Sequence, residues 1–506
     1  MKRALISVWD KQGLEPFARG LDALGYELVA SGKTYAQLVE WGVNATEVTE
    51  VTGSPEMLGG RVKTLHPKIH GGILANRDLP EHLSDLEANG IGAIDLVACN
   101  LYPFSSDPSV ELIDVGGPTM VRAAAKNHHH VGIVVDPADY ETVLAELQGG
   151  SGLSLETRLS LARKAFAHTA AYDAAIVSWL DGQAGQDEVL PETIHLTLER
   201  VDVLRYGENP HQHGARYRQP GIPSFWDEVT QHAGKELSYL NLFDADAAWR
   251  LAHELVADHA KPSVAIIKHA NACGAAVDGD AAVAFQRALD CDPTSAFGGI
   301  VAVSAPVDEA VAKVIAEGPQ ADVVVAPSYE GNALAILTER RKATRLLSAP
   351  APEASARSIR NLGQAFLVQE ADAFLAPRAG WTVMTDRAPS EAEWADLQMA
   401  WRICGRTTSN AIAISNGLKA VGVGAGQQSR VVAAEIAVQK AEAEARGAAA
   451  ASDAFFPFPD GLEVLINAGV TAVVQPGGSI RDAEVVEVAN KAGITMVATG
   501  ERHFRH

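Results

Sequence analysis

Ser263-Val-Ala-Ile-Ile-Lys268-His269-Ala-Asn271-Ala-Cys273-Gly274-Ala-Ala-Val277 is the stretch on which the reading of this chain turns. An apolar run of strand character ends on a lysine and an imidazole, then bends through asparagine and glycine. Burial disfavours an ammonium group, so a lysine closing a buried strand is costly unless its head escapes. Two readings stand side by side. The stem packs while the head reaches water, or the lysine is a cationic stabiliser beside a titratable ring at the carboxyl end of a strand, where open α/β sheets place their sites. Spacing alone does not choose between them.

Upstream of this stretch, strands and helices alternate. Residues 4–8 read as a strand, Asp10 as the N-cap of a helix reaching residue 24, and residues 26–30 as the next strand. Ser31-Gly32-Lys33-Thr34 then turns into another helix, and residues 94–99 and 131–135 are further strands. This is the βαβ rhythm of a parallel sheet. A helical run over 155–180 closes the unit, and the polar, turn-rich residues 181–188 read as a linker.

Downstream, the chain divides again near 348–357, and its two sides resemble each other. Ser295-Ala-Phe297-Gly298 matches Ser452-Asp-Ala-Phe455-Phe456. The strand before Pro327 matches the strand before Pro476, and Ala265-Ile-Ile-Lys268 roughly matches Asn410-Ala-Ile-Ala-Ile414. A duplicated α/β subdomain follows. Residues 441–451, nearly all Ala, Glu and Arg, are expected to form a solvated helix.

With 506 residues, 47% hydrophobic and 21% charged, the chain is ordinary globular material for two to four domains. No apolar run reaches the roughly 18 residues of a membrane span. The start of the chain is too short in its apolar part for a signal peptide, so it is expected to be the first strand of a cytoplasmic protein. A formal charge of −21 argues against nucleic acid and anionic membranes as partners, though not against small anions. Cys99, Cys273, Cys291 and Cys404 form no CxxC pair, so reduced thiols and no zinc are expected. Lysine is scarce, yet Lys63, Lys68, Lys126 and Lys268 fall in apolar or glycine-bearing stretches, a placement that fits anion handling.

Gly59-Gly60-Arg61-Val62-Lys63-Thr64-Leu65-His66-Pro67-Lys68-Ile69-His70-Gly71-Gly72 interleaves basic groups with apolar ones between glycines, as an anion site would. The Ser31–Thr34 corner offers N–H groups and hydroxyls to a phosphate at a helix N-terminus. Asn100-Leu-Tyr102-Pro-Phe104 sets either a phenol at a strand's carboxyl end or a buried aromatic corner. Asp114-Val-Gly116-Gly117-Pro118 opens a helix over 119–126, and Lys126 at its end suits either a site or the macrodipole. His128-His129-His130 is adjacent in sequence, so its three rings cannot easily converge on a metal. Leu204-Arg205-Tyr206-Gly207-Glu208-Asn209-Pro210-His211-Gln212 is a loop that pairs a fork of donors with a stacking ring. Gly422-Val-Gly424-Ala-Gly426 lacks the last glycine of a dinucleotide fingerprint, and His253-Glu254 has no second histidine at metalloprotease spacing. Arg502-His503-Phe504-Arg505-His506 is either a frayed tail or a docked end.

Together, GRVKTLHP, CNLYPF, GGPTMVRAAAKN, LRYGENPHQ, SDAFFPF, GAGQQSR and RHFRH resemble the bifunctional purine-biosynthesis enzymes that join AICAR transformylase to IMP cyclohydrolase. The likeness runs from Leu5 to His506. It implies a methylglyoxal-synthase-like parallel sheet over 1–190 and a transformylase of two cytidine-deaminase-like α/β subdomains over 196–347 and 358–506. No P-C-x-x-C is present, so no catalytic zinc is expected; a structural monovalent cation is allowed. 10-formyltetrahydrofolate would be the cosubstrate, and AICAR, formyl-AICAR and IMP the other ligands. The implied homodimer would build the transformylase site at its interface.

Carried over by motif, Lys63, Tyr102, Asp114 and Lys126 would surround ring closure. Asp10, Lys11, Ser31, Gly32, Lys33, Thr34, Arg61, Thr64, Cys99, Asn100 and Val115 would hold the nucleotide. In the transformylase, His269 would act as base, Lys268 would stabilise developing charge, and Asn410 would position the formyl oxygen. Arg205, Tyr206, Asn241, Gly298, Asp322, Arg430, Phe455, Asp460, Ser479, Ile480, Arg502 and His506 match family positions for AICAR and folate. The chain departs from the pattern at Trp9 and Gln12, where the family carries hydroxyls, at Lys33, where it carries glycine, and at Gly405, where it carries a basic residue. Two further readings therefore stand beside the bifunctional enzyme: a transformylase with a weakened cyclohydrolase, and a non-catalytic purine-nucleotide-binding protein.

Overall fold

The computed structural model describes residues 2–55, 57–60, 62–183 and 189–506. The chain folds as two units, one of Met1–Leu198 with Gln219–Gly221 and another of Glu199–Arg218 with Ile222–His506. In the first, β1 (Arg3–Val8), β2 (Glu27–Ala30), β3 (Thr46–Glu47), β4 (Leu96–Asn100) and β5 (Gly132–Val134) run parallel in the order β3-β2-β1-β4-β5. β1 and β4 lie at the centre with helices packed around them, so their residues are apolar on both faces. Helix Leu14–Ala23 buries Leu14, Phe17, Ala18 and Leu21, one stripe at helical spacing.

The helix expected from Asp10 begins four residues later. The Asp10 carboxylate accepts the Gln12 N–H at 2.9 Å, closing an Asx turn, and Gly13 takes φ +67° before the first helical residue. The long helix Leu155–Gln183 closes the unit as expected. Residues 184–188 of the expected linker lie outside the described residues.

The second unit contains one plan twice. After a ribbon of β6 (Glu199–Leu204) and β7 (Gly214–Arg218) come β8 (Thr230–Ala233), β9 (Ser263–Lys268), β10 (Asn271–Val277), β11 (Ile300–Val303), β12 (Val323–Ala326) and β13 (Arg345–Ser348). These six form one sheet in the order β10-β9-β11-β12-β13-β8. A ribbon of β14 (Arg357–Leu362) and β15 (Ala365–Glu370) precedes β16 (Thr382–Val383), β17 (Ile412–Ser415), β18 (Ala420–Gly424), β19 (Ala449–Ser452), β20 (Ala472–Gln475) and β21 (Thr495–Ala498). Their sheet runs β18-β17-β19-β20-β21-β16. Both sheets pair antiparallel, antiparallel, parallel, parallel and antiparallel along that order.

Topology thus equates β9 with β17, β11 with β19 and β12 with β20. Two of the sequence matches fall on equivalent strands, but the pairing of Ser295–Gly298 with Ser452–Phe456 is out of register: the first precedes β11, the second ends β19. Residues 441–451 are not a solvated helix. Helix Arg430–Ala441 ends there, a short 3-10 turn follows, and Ala449–Ser452 is a central, fully buried strand. Small side chains suit a strand sandwiched between two helical layers, although helix propensity alone favours alanine elsewhere.

Helices Tyr239–His259 and Glu391–Gly405 each open on a capping box, from Ser238 with Asn241 and from Ser390 with Glu393. They share one core, with Trp249, Leu251 and Leu255 from one and Leu397, Met399 and Trp401 from the other. Arg402 clamps Asp258 through two hydrogen bonds of 2.7 and 2.8 Å across this seam. The sheets also meet edge to edge where Ala276 bridges Lys419.

Candidate active sites

In the first unit the strand order reverses between β1 and β4, and a doubly wound sheet opens its crevice at the carboxyl ends of such a pair. Hydrogen bonds tie the loops there together. Asn100, the last residue of β4, accepts the N–H groups of Trp9 and Asp10 at 2.6 and 3.0 Å and donates back to the Asp10 carbonyl at 2.9 Å. Thr34, buried, exchanges hydrogen bonds with the backbone of Val8, and the Ser7 and Ser31 hydroxyls stand 3.3 Å apart. Ser31 is the N-cap residue of helix Gly32–Glu40, without a side-chain cap bond, and its carbonyl accepts the Thr34 N–H at 3.1 Å.

Lys63 reaches this turn: a Cβ built on Gly32 would lie 2.9 Å from its Nζ. Thr64 is buried against the start of helix Gly116–Lys126, where a Cβ on Gly116 would stand 2.9 Å from its Oγ1. Glycine at both positions keeps backbone open to a cation and a hydroxyl. Asp114 precedes that helix and accepts the Gly117 N–H at 2.9 Å, while its own N–H donates to the Tyr172 hydroxyl at 2.7 Å. Burial raises the Asp114 carboxyl above its ordinary range, against the pull of the Gly117 and Gly116 N–H groups. Burial, the Asp114 charge and Cys99 also raise the Tyr102 phenol, and burial holds the Cys99 thiol neutral. Trp9 stands edge-on to Tyr102 with ring centroids 5.2 Å apart.

Asp10, Ser31, Gly32, Thr34, Lys63, Thr64, Asn100, Tyr102, Asp114 and the helix-capping Val115 therefore gather at one end of one sheet. Lys11 turns back toward the Trp9 carbonyl, and Lys33 is exposed on the first turn of its helix. Arg61 lies outside the described residues. Lys126 closes the 11-residue helix that Gly116 opens, so about 15 Å of helix separates it from Asp114 within one chain.

In the second unit, Lys268 and Asn271 pair across a two-residue hairpin turn whose central residues, His269 and Ala270, have φ of +53° and +59°. A turn with two left-handed positions normally calls for Asn or Gly. Here the buried Asp244, from helix Tyr239–His259, accepts both turn N–H groups, from His269 at 3.0 Å and from Ala270 at 2.8 Å. The clamp leaves the His269 side chain exposed, and Lys268 donates to the Phe297 carbonyl at 2.8 Å, beside Gly298. The Lys268 head is thus bound by backbone instead of water alone. Asp322 joins this cluster through its N–H to the Gly299 carbonyl.

Because β9 is antiparallel to β11, this cluster sits at the amino ends of the parallel strands β11 and β12. The other half contributes the opposite end. Asn410 precedes β17, Arg430 follows β18, Phe455 follows β19, Ser479 and Ile480 follow β20, and Arg502 follows β21. Asn271 joins the two sets. Its amide donates to the His269 carbonyl at 2.9 Å, and its oxygen accepts the Thr408 N–H at 2.8 Å.

Arg430 is buried and donates to Asp453, Ser452 and the Asn410 oxygen, the last at 2.7 Å. Asn410 also donates to the Gln427 carbonyl at 2.8 Å. Both side chains therefore serve a buried network around Asp453. Asn241 is spent on its capping box, and the Asp460 carboxylate accepts the Gly461 N–H. Ile480 is fully exposed, and Arg205 stacks over Tyr206 at 5.3 Å on the ribbon loop.

The chain end is docked. His503 is buried between Phe374, stacked at 4.0 Å, and Trp401, and it pairs with Asp372 at 2.9 Å. Arg505 donates to the Ala270 carbonyl at 3.1 Å, and its own carbonyl accepts the Ser409 N–H at 2.9 Å. Arg502 lies 4.3 Å from the Phe504 ring centre, and the His506 carbonyl accepts a bond from Arg360. Sequence reasoning gave no role to Asp244, Asn271 or Asp453, whereas Arg505 belongs to the terminal segment read there as either frayed or docked. Asp244 left only a weak signal, as a carboxylate one turn beyond Asn241 on a helix that also carries Asp246, Arg250, Glu254 and Asp258. Among the described residues no group of His, Cys, Asp and Glu is placed to hold a metal ion, and no helix is long and apolar enough to cross a membrane.

A doubly wound sheet with a phosphate-type corner and a duplicated α/β unit with a clamped Lys-His turn define a two-centre enzyme of nucleotide chemistry. The family model described as AICARFT/IMPCHase bienzyme matches residues 124–440, and one described as an MGS-like domain matches residues 13–128. The chain belongs to the AICARFT/IMPCHase bienzyme family, whose members join AICAR formyltransferase to IMP cyclohydrolase in purine biosynthesis. Two proteins called bifunctional purine biosynthesis protein PurH, from Anaeromyxobacter sp. (strain K) and Anaeromyxobacter dehalogenans (strain 2CP-1), are each 49% identical over 530 residues, covering 100% of both chains. A solved structure titled "Crystal structure of ForH" is 42% identical over 35% of this chain and 97% of its own, with a TM-score of 0.33.

Proposed function

We propose that the crevice of the first unit closes formyl-AICAR to IMP, and that the clamped turn of the second transfers the formyl group to AICAR from 10-formyltetrahydrofolate. The observation that carries the first assignment is the meeting of Lys63, Tyr102 and Asp114 at the strand-order reversal beside the Ser31–Thr34 corner. In ring closure the carboxamide nitrogen attacks the formyl carbon and water leaves. Asp114, its affinity for protons raised, takes the amide proton; the neutral Tyr102 phenol donates to the oxygen that departs as water; Lys63 stabilises the charge that passes through. The phosphate rests on the Ser31–Thr34 corner with Lys33 at its edge.

In formyl transfer the AICAR amine attacks the formyl carbon, the bond to folate N10 breaks, and the amine proton leaves. His269, exposed on its clamped turn, accepts that proton, and Lys268 faces the developing charge. Asn410 and Arg430, held by Asp453, shape the pocket wall, with Arg205, Tyr206, Phe455, Ser479, Ile480 and Arg502 as further ligand contacts. On this reading the domains are 1–190, 196–347 and 358–506, the protein is a cytoplasmic homodimer, and a monovalent cation is structural. The exposed Val203, Leu362, Phe366 and Leu367 of the two ribbons support a partner surface.

One pair of variants tests the two-centre assignment. His269→Ala is expected to lower formyl transfer roughly 10²–10⁴-fold and to spare ring closure of supplied formyl-AICAR. Tyr102→Phe is expected to do the reverse, so formyl-AICAR accumulates. Loss of both activities from either variant in a folded protein would refute the assignment.

A further inference from the structure

Among the positions where the chain departs from its family, Trp9 lies directly against a group of the crevice, the Tyr102 phenol. β1 and β4 are paired with Val8 opposite Asn100, so Trp9 leaves one strand beside the point where Leu101 and Tyr102 leave the other. Asn100 fixes that exit. Its side-chain oxygen accepts the Trp9 N–H at 2.6 Å, and the Trp9 carbonyl accepts from the Lys11 Nζ at 3.3 Å. The backbone around Tyr102 is anchored by the buried Leu101 and Phe104, and the Phe104 N–H donates to the Tyr102 carbonyl at 2.8 Å. The phenol has no such anchor: among the described residues its hydroxyl makes no hydrogen bond, so packing must aim it. That packing is the Trp9 ring, 5.2 Å away between centroids and inclined at 72°, an edge-to-face pair. Trp9 keeps 45% of its surface exposed and joins no core cluster, so core packing does not account for an indole here.

On the ring-closure role proposed above for Tyr102, we infer that Trp9 is its positioning residue, holding the phenol in one orientation at the crevice and keeping water off it. A proton donor has to be both neutral and aimed when the oxygen departs. Burial is the largest cause that raises the phenol, ahead of the Asp114 charge and Cys99, and the indole supplies part of that burial. Serine, with one atom beyond Cβ, would leave the contact to water. The departure at position 9 thus removes a hydroxyl from the corner and adds support to the proton donor. Asp114, Cys99 and Tyr172 are the titratable groups facing Tyr102, with Lys63 at the Gly32 turn and Lys11 on the Trp9 carbonyl, and a change at Trp9 leaves all five in place.

The test is a double-variant cycle in the full-length protein, read as ring closure of supplied formyl-AICAR with formyl transfer as the control for folding. Trp9→Ser is expected to lower kcat for ring closure roughly two- to tenfold, the range of an edge-to-face pair, with KM little changed. Trp9→Phe keeps a ring edge and should recover most of the rate. The alkaline limb of the pH–rate profile should move to lower pH in Trp9→Ser, as the phenol loses burial, and return in Trp9→Phe. In a Tyr102→Phe background, which has no hydroxyl to aim, Trp9→Ser should cost nothing further. Ring closure by Trp9→Ser at the wild-type rate, beside a slow Tyr102→Phe, would overturn the inference and leave the Tyr102 assignment standing. Equal losses from Trp9→Ser in both backgrounds would also overturn it, because the indole would then act apart from the phenol. Wild-type ring closure by Tyr102→Phe would remove the role of Tyr102 and the positioning role with it.

Discussion

Asp244→Ala should damage formyl transfer without touching any group that meets a substrate. Asp244 is 7% exposed and accepts two N–H groups of the His269–Ala270 turn, at 3.0 and 2.8 Å. Hydrogen bonds to a charged acceptor contribute roughly 1.5–3 kcal/mol each. Both turn residues hold positive φ, which costs a residue with a side chain about 1–2 kcal/mol. Without the carboxylate, two N–H groups lose their acceptor and two residues keep their strain, so the turn should relax. Losing about 3 kcal/mol of turn stability lowers the competent fraction by roughly two decades. Formyl transfer should then fall about 10²-fold.

Ala270→Gly provides the internal check. Glycine adopts positive φ at little cost, so adding it to Asp244→Ala should return about 1 kcal/mol, roughly fivefold in rate. The assay is the initial rate of formyl-AICAR formation from AICAR and 10-formyltetrahydrofolate, with ring closure of supplied formyl-AICAR as control. Wild-type transfer by a folded Asp244→Ala would refute the clamp. Parallel loss of both activities would point to unfolding instead, and no gain from Ala270→Gly would show that turn strain is not what limits the rate.

Three more outcomes follow from particular contacts. Deleting residues 504–506 removes the Arg505 bonds to Ala270 and Ser409 and should lower formyl transfer at least 10²-fold while His503 stays docked and ring closure continues; wild-type transfer would dismiss the contact as passive. Asp453→Ala leaves the Arg430 guanidinium buried and unpaired, so denaturant unfolding should lose about 3–5 kcal/mol, and Arg430→Met in the same chain should recover part of it. Burial raises the Asp114 carboxyl, so the folded chain binds its proton more tightly than the unfolded chain, and this site loses stability as pH rises from the ordinary carboxyl range through the raised value. Asp114→Asn should therefore raise the melting temperature at pH 7, with the difference closing below the ordinary carboxyl range, while ring closure falls; a lowered melting temperature at pH 7 would reverse the sign.

The parallel sheet was legible because its signals are local. Apolar runs of four to six residues, each followed by a turn and an amphipathic helix, place the carboxyl ends of β1, β2 and β4 together before any contact is known. Asp10 was misread because two local uses compete for one residue type: an aspartate that caps a helix and one that closes an Asx turn look alike until Gly13 is seen at positive φ. Ala449–Ser452 failed for the opposite reason. Alanine favours helix on its own, and only the two neighbouring strands and the helices above and below make it a strand. Asp244 and Asp453 could not be assigned from spacing, because their partners lie 25 and 23 positions away in sequence and meet them only through the fold.

Duplication itself misleads about the site. Two equivalent sheets suggest two equivalent sites, and matching motifs invite the pairing of Ser295–Gly298 with Ser452–Phe456. The sheets instead present opposite ends: the first gives the amino ends of β11 and β12 with the Lys268–Asn271 turn, the second the carboxyl ends of β19 and β20. These ends meet because the hairpin edges β10 and β18 join antiparallel at Ala276 and Lys419, which turns one copy against the other. The Asn271 side chain then spans from the His269 carbonyl to the Thr408 N–H. Each half thus holds side chains whose supporting partners lie in the other. That is why the terminal Arg505 reaches Ala270 across 235 positions of sequence, and why the motifs of one centre are scattered over most of the second unit.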